Sequence, residues 1–216
     1  MPDGTDRSLI GRVIGGGTDG KLAFRELYDR HQRQVYTTCY RLLGDAHRAA
    51  DATQEAFLAV LRGLPGFGFQ SSFRTWLFQV SKNAALQQLR KASSRMHLSL
   101  DEPSDRHGDE GGGRRGDAHE AVDTRSPAQI ETVAASEFGD DLQKALTRLK
   151  PQHREILSLR YFGGLSYEAL AEILECSIGT VKSRLSRAHG AFKPLLVELV
   201  KRHDWPTPGG SFGSVE

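Results

Sequence analysis

Ser166-Tyr167-Glu168-Ala169-Leu170-Ala171-Glu172-Ile173-Leu174-Glu175-Cys176-Ser177-Ile178-Gly179-Thr180-Val181-Lys182-Ser183-Arg184-Leu185-Ser186-Arg187-Ala188 is the most informative stretch of this 216-residue chain. Ser166 is a natural helix N-cap, and Glu168 falls in the first turn, where the helix dipole favours an acid. Tyr167, Leu170, Ala171 and Leu174 then form an apolar stripe at helical spacing. Glu175-Cys176-Ser177 reads as a tight break, and Ser177 can cap a second helix. In that helix Ile178, Val181, Leu185 and Ala188 share one face, and Thr180, Lys182, Ser183, Arg184, Ser186 and Arg187 cover the others. Two short helices around a three-residue turn, the second with a basic outer face, make a helix-turn-helix, whose second helix enters the DNA major groove. Lys and Arg neutralise phosphates and donate to guanine edges, and Ser and Thr hydroxyls serve either role. The competing reading is a helical hairpin with a solvated basic face.

Outward from this motif the periodicity stays helical. A short helix over 6–14 ends at Gly15-Gly16-Gly17. Phe24, Leu27, Tyr28, His31, Val35, Cys39 and Leu43 mark a long helix closed by Gly44-Asp45. Ala49, Thr53, Ala56, Phe57, Val60 and Leu64 mark another, stopped by Pro65-Gly66. After a loop from Phe67 to Ser72, the residues Phe73, Trp76, Leu77, Val80 and Ala84 predict a helix to about Lys91. Toward the motif, Leu142, Leu146 and Leu149 predict a helix ending before Pro151. Pro151 opens the next, which carries Ile156, Leu157 and Leu159 and ends at Gly163-Gly164. The expected fold is all-α: two small helical domains, 1–92 and 136–202, joined by a flexible linker over 93–135, with a disordered tail over 203–216. The linker has no sustained period, is rich in Gly and charge, and is too polar to repay its ordering entropy.

Charge distribution says more than the net +2. From Lys21 to Lys91 there are eleven Lys/Arg against five Asp/Glu. From Ser93 to Glu137 there are five against ten, and from Glu175 to Arg202 six against two. Two basic blocks flanking an acidic one suit two nucleic-acid-facing modules joined by an acidic linker; ordinary surface variation is the bland alternative. Two cysteines, Cys39 and Cys176, are too few for a disulfide framework and fit a reducing compartment. No apolar run of 18 residues and no signal-peptide pattern are present, so the expected location is cytoplasmic, with no membrane insertion. No His/Cys spacing fits a zinc site, and no Walker-type loop, catalytic triad or paired-carboxylate motif is present. Neither a metal, a cofactor nor a catalytic residue is expected.

The stretch from Tyr161 to Leu174, followed by Ile178 to Ala188, resembles the promoter −35 domain of sigma-70 family factors, most closely the extracytoplasmic-function (ECF) group. Asp51-Ala52-Thr53-Gln54-Glu55-Ala56-Phe57 resembles the polymerase-binding segment of that family. Ser71-Ser72-Phe73-Arg74-Thr75-Trp76-Leu77, with Asn83, resembles its promoter-melting segment. The resemblance implies a sigma region 2 bundle and a sigma region 4 helix-turn-helix that bind core RNA polymerase, through its largest and second-largest subunits, and promoter DNA. It implies polymerase contact by Asp51, Gln54 and Glu55, capture of an extruded −10 base by the loop Phe67, Phe69, Gln70, Ser71 and Ser72, and a −10 contact by Asn83. It implies −35 reading by Thr180, Lys182, Ser183, Arg184, Ser186 and Arg187, and an anti-sigma factor as a partner. The loop departs from the family: Gly68 and Phe69 stand where a basic or polar residue and a glycine are usual. The rival readings are a helix-turn-helix repressor or activator that does not join polymerase, and a nucleic-acid-processing enzyme with an appended helix-turn-helix.

Overall fold

The computed structural model describes residues 3–100 and 137–203, with side chains of 3–4 and 93–100 left aside. The linker expected over 93–135 lies, past residue 100, outside the described residues, as does the tail beyond 203. Among the described residues every regular element is helical.

The first module holds α1 (Asp3–Gly15), α2 (Gly17–Leu43), α3 (Ala46–Gly63) and α4 (Phe73–Leu100), with a 3₁₀ turn at Leu64–Gly66. Its boundaries follow local chemistry. Gly44 sits in the left-handed region at φ 73° and returns its N–H to the Tyr40 carbonyl at 2.8 Å, closing α2. The Asp45 carboxylate accepts the Arg48 N–H at 2.8 Å and caps α3. Ser72 caps α4, its Oγ accepting from the Thr75 N–H at 3.0 Å. The helix then continues to Leu100, past the end near Lys91 that apolar spacing suggests. Leu27, Val35, Cys39, Ala56, Val60, Leu77 and Phe78 are fully buried between the helices. Each large aliphatic or aromatic side chain so buried contributes about 1.5–3 kcal/mol.

Helix α1 is fixed by a buried ionic cluster as well as by Leu9 and Ile10. Asp6, 3 % exposed, accepts from Arg30 Nη1 at 2.6 Å and lies 3.0 Å from His31 Nε2. Burial alone would raise the Asp6 carboxyl; the bonds from His31 and Arg30 outweigh it and hold the group below the usual carboxylate range.

The second module holds α5 (Glu137–Thr147), α6 (Pro151–Leu157) running on through a π-helical turn (Ser158–Phe162), α7 (Tyr167–Ile173) and α8 (Ile178–Arg202). The C-terminal half of α8 returns to α5, where Asp141 accepts from Lys144 at 2.9 Å and Arg202 at 3.1 Å, with His203 Nε2 at 3.1 Å. The Lys144 bond, then those of Arg202 and His203, hold the Asp141 carboxyl well below the usual carboxylate range. For both acids the folded pKa is depressed, so their stabilisation is complete above about pH 4 and is lost as pH falls through the folded values. Thermal melts taken from pH 6 to pH 2 should therefore show stability falling only below about pH 4, and Asp6→Asn should flatten that fall. An Asp6→Asn profile parallel to wild type would remove the α1 cluster from the acid response.

The two modules pack on each other, which the sequence does not reveal. Their buried residues form one apolar cluster reaching from Leu27 and Phe78 to Leu159 and Leu170. Three cations of the first module donate to carbonyls of the second. Arg41 Nη1 reaches Gly139 O at 3.0 Å and Gln143 Oε1 at 3.1 Å, Arg74 Nη2 reaches Gly163 O at 2.6 Å, and Lys82 Nζ reaches Ile173 O at 2.9 Å. The last two carbonyls lie at helix C-terminal ends, where a cation is favoured. Arg41 is 5 % exposed, and its guanidinium carbon lies 5.0 Å from the Phe162 ring centre. Gly164, at φ 59°, lets Arg74 approach: a Cβ there would stand 2.8 Å from Arg74 Nη2.

Candidate functional site

Three surfaces carry the residues that the sequence singles out. On the helix-turn-helix, Ser166 Oγ accepts the Ala169 N–H at 3.2 Å and Ser177 Oγ accepts the Thr180 N–H at 3.1 Å, so both caps form as the sequence predicts. Glu175 takes the left-handed conformation, φ 49°, at the centre of the turn. Val181, Leu185 and Ala188 are buried, which turns Lys182, Ser183, Arg184, Ser186 and Arg187 outward, with Thr180 half-buried at the helix start. The Ser183 hydroxyl donates to its own helix at Thr180 O, 3.0 Å away. Arg187 folds back onto Ser183 O at 3.2 Å. Lys182 and Arg184 make no ion pair among the described residues. Thr180, Arg184 and Arg187 border a depression of about 250 Å³ whose far wall is Gln152 and His153, at the start of α6. Sequence reasoning missed these last two, because only the tertiary packing of α6 on α8 brings them to the recognition helix.

On α3, Asp51 and Gln54 are exposed on one face. Glu55 is half-buried, and its Oε1 accepts from Gln88 Nε2 at 3.1 Å and Lys91 Nζ at 2.9 Å. Glu55 therefore ties α3 to α4 while keeping part of its surface outside. The same face continues at helical spacing into Leu58 and Leu61, 47 % and 40 % exposed. That step from Asp51 is visible in the sequence, and the observed orientation of α3 leaves both leucines outside.

The third surface is the loop before α4. Phe67 stacks on Trp76, centroids 4.7 Å apart at 20°, and lies 4.8 Å from Phe69. Trp76 is half-buried against Gly63, where a Cβ would meet the indole at 2.9 Å, so the ring belongs to the wall. Phe69, at φ 53° and 38 % exposed, stands out from the stack. Gln70 is exposed and Ser71 half-buried. Ser72 is committed to capping α4, with a second contact to the Thr75 hydroxyl at 2.8 Å. The loop thus presents one projecting aromatic ring, the exposed Gln70, and Ser71, whose hydroxyl makes only a long contact of 3.5 Å to the Ser72 carbonyl, beside an aromatic floor. Asn83 is exposed nearly three turns along α4.

The cysteines are separate from these surfaces. Cys39 is fully buried and burial pushes its thiol up to about 12, which suppresses the thiolate. Cys176 is half-buried in the turn. Among the described residues, no helix is long and apolar enough to cross a membrane.

Comparison with known proteins places these surfaces in a family. Residues 27–95 match Sigma-70 region 2 and residues 139–189 match Sigma-70, region 4. Over 196 residues the chain is 32% identical to the RNA polymerase sigma-H factor of Pseudomonas aeruginosa, covering 91% of this chain and 96% of the relative. Over 207 residues it is 31% identical to the ECF RNA polymerase sigma-E factor of Escherichia coli, covering 92% and 97%. The sigma factor RpoE of Bartonella quintana, solved in complex with the anti-sigma factor NepR, superposes with a TM-score of 0.59 at 25% identity, over 81% of this chain and 96% of that one.

Proposed function

We propose a division of labour among these surfaces from the premise that the chain belongs to the extracytoplasmic-function group of the sigma-70 family and is an RNA polymerase sigma factor. The first module docks on core polymerase through α3, with Leu58 and Leu61 supplying apolar contact and Asp51, Gln54 and the outer part of Glu55 a polar rim. The loop at Phe67–Ser71, with Asn83, captures the unpaired −10 strand, and α8 reads the −35 duplex with Lys182, Ser183, Arg184, Ser186 and Arg187. The protein works in the cytoplasm, performs no catalysis itself, and is held in check by an anti-sigma partner, as the Bartonella relative is seen bound to one.

The observation that carries this reading is that α8 turns three uncommitted or releasable cations outward behind a capped turn, on the same chain as the exposed α3 face. A repressor needs the first feature and not the second. Supplying the purified chain to core polymerase should yield promoter-specific transcripts. Sequence-specific DNA binding with no such transcripts would favour the repressor reading.

On the −35 duplex, Arg187 must leave Ser183 to reach a base or a phosphate. Arg187→Ala should cost about 1–3 kcal/mol if the side chain reads a guanine, or about one unit of salt slope if it contacts phosphate. Titrations of a labelled −35 duplex at several salt concentrations separate the two, and unchanged affinity throughout would take Arg187 out of the interface.

A further inference from the structure

The loop from Phe67 to Ser72 contains no cation, although a captured strand brings a phosphate with every base. Arg74, just beyond it, is engaged with Gly163 O in the other module. A cation nevertheless stands at the loop, from a distant part of the chain. The Arg7 guanidinium carbon lies 4.6 Å from the centre of the Phe69 ring. Arg7 is exposed and makes no ion pair among the described residues, whereas Arg12 is paired with Asp19 and Arg30 with Asp6 and Glu26. Its helix is not a loose arm: the neighbouring Asp6 is locked to His31 and Arg30, and Leu9 and Ile10 are buried.

We propose that Arg7 is a further promoter-contacting residue, which completes the −10 loop by binding the backbone phosphate of the nucleotide captured against Phe69. The proposal rests on the −10 reading of that loop. A guanidinium over an aromatic ring has one face covered and keeps its N–H donors, which lie in the guanidinium plane, available at its edge. Phe69 in turn is held in the left-handed conformation with one face toward Arg7, and a base stacked beside it brings its own phosphate toward those donors. A side chain on a helix fixed by a buried ionic cluster is better placed than one within the loop, where reorganisation would cost affinity. Phosphate contact also fits the chemistry: the charge serves any sequence, and Gln70 and Ser71 remain for the base edge.

The test uses the full chain assembled with core polymerase and a fluorescent single-stranded oligonucleotide carrying the non-template −10 sequence of a promoter that this holoenzyme opens. Arg7→Ala should weaken binding several-fold and reduce the slope of log K against log salt by about 0.7, the value for one phosphate on a single strand. Arg7→Lys should keep the slope while recovering part of the affinity. Polymerase pull-down and the thermal melt should not change, since the side chain is exposed. Unaltered affinity and slope in Arg7→Ala would overturn the proposal. Weaker binding with an unaltered slope would also overturn it, by reducing Arg7 to a support for Phe69. The failure of the loop reading itself looks different: Phe69→Ala would then bind the strand as wild type does, whatever Arg7→Ala does.

Discussion

Oxidative cross-linking of Gly44→Cys to Thr147→Cys is expected to remove promoter-specific transcription in proportion to the fraction cross-linked, and reduction to restore it. The names of the two promoter elements place them about 25 base pairs apart, or roughly 85 Å at about 3.4 Å per base pair. Modules that touch each other cannot occupy both at once. The contact is built to be broken: Arg41, Arg74 and Lys82 are paired with carbonyl and amide oxygens and not with carboxylates. Burial of Arg41 has a cost, seen in the lowering of its pKa and in the Nε left without a partner. Such bonds hold two surfaces together without the strength of buried ion pairs. A Cβ at Gly44 would lie 3.2 Å from Thr147 Cγ2, one bond beyond Thr147 Cβ, which puts the two Cβ atoms toward the upper end of the disulfide span of about 3.5–4.5 Å. The left-handed φ of 73° at Gly44 makes the cysteine cost about 1–2 kcal/mol, tolerable in a covalently closed state. Cys176→Ser removes the half-buried thiol from exchange, and Cys39 is too buried to take part. The cross-linked protein should still bind an isolated −35 duplex, because Lys182, Arg184 and Arg187 stay exposed. Full transcription from cross-linked protein would show that the modules need not separate.

The fold was legible wherever one helix decides its own structure. Spacing placed α2, α3 and the helix-turn-helix, and the caps at Ser166 and Ser177 form the bonds their residue types promise, while Asp45, legible only as part of the close of α2, also caps α3. The cues failed where a second element decides. The end of α4 was set too early because apolar spacing fades after Ala84 while the backbone stays helical to Leu100. The packing of one module on the other left no periodic trace, because its contacts are cations reaching carbonyls, and any exposed Arg or Lys looks the same in a sequence. The candidate sites divide in the same way. The outward set on α8 follows from the buried positions Val181, Leu185 and Ala188. By contrast, the commitment of Glu55 to Gln88 and Lys91, of Ser72 to the α4 cap, and of Arg7 to Phe69 depends on partners that no local pattern identifies. Two residues that read alike as loop polar groups, Ser71 and Ser72, thus acquire different roles through one cap.

Replacing Phe69, Gln70 and Ser71 together by alanine should weaken open-complex formation while leaving core-polymerase binding nearly intact. The structure selects this set. Phe67 is spared because it stacks on Trp76, and Ser72 because it caps α4; altering either would confound function with folding. What remains is a ring projecting at φ 53°, the exposed Gln70, and Ser71, whose long 3.5 Å bond to the Ser72 carbonyl can be exchanged for a base edge. Stacking of one base on an aromatic side chain is worth about 1–3 kcal/mol, so the loss should be roughly 5- to 150-fold in the equilibrium between closed and open complexes. The triple change does not relieve the left-handed strain at position 69, since alanine is no better suited to positive φ, so the gain of a relaxed backbone does not enter the comparison. A promoter with a pre-melted −10 bubble lowers the cost of unpairing but not the cost of losing the pocket, so it should recover only part of the deficit. Permanganate footprinting of unpaired thymines reads the opening, and a polymerase pull-down beside it reads docking through α3. Normal footprints would rule out base capture by this loop. Loss of polymerase binding would mean that the loop supports the fold of the first module and that the aromatic stack is core.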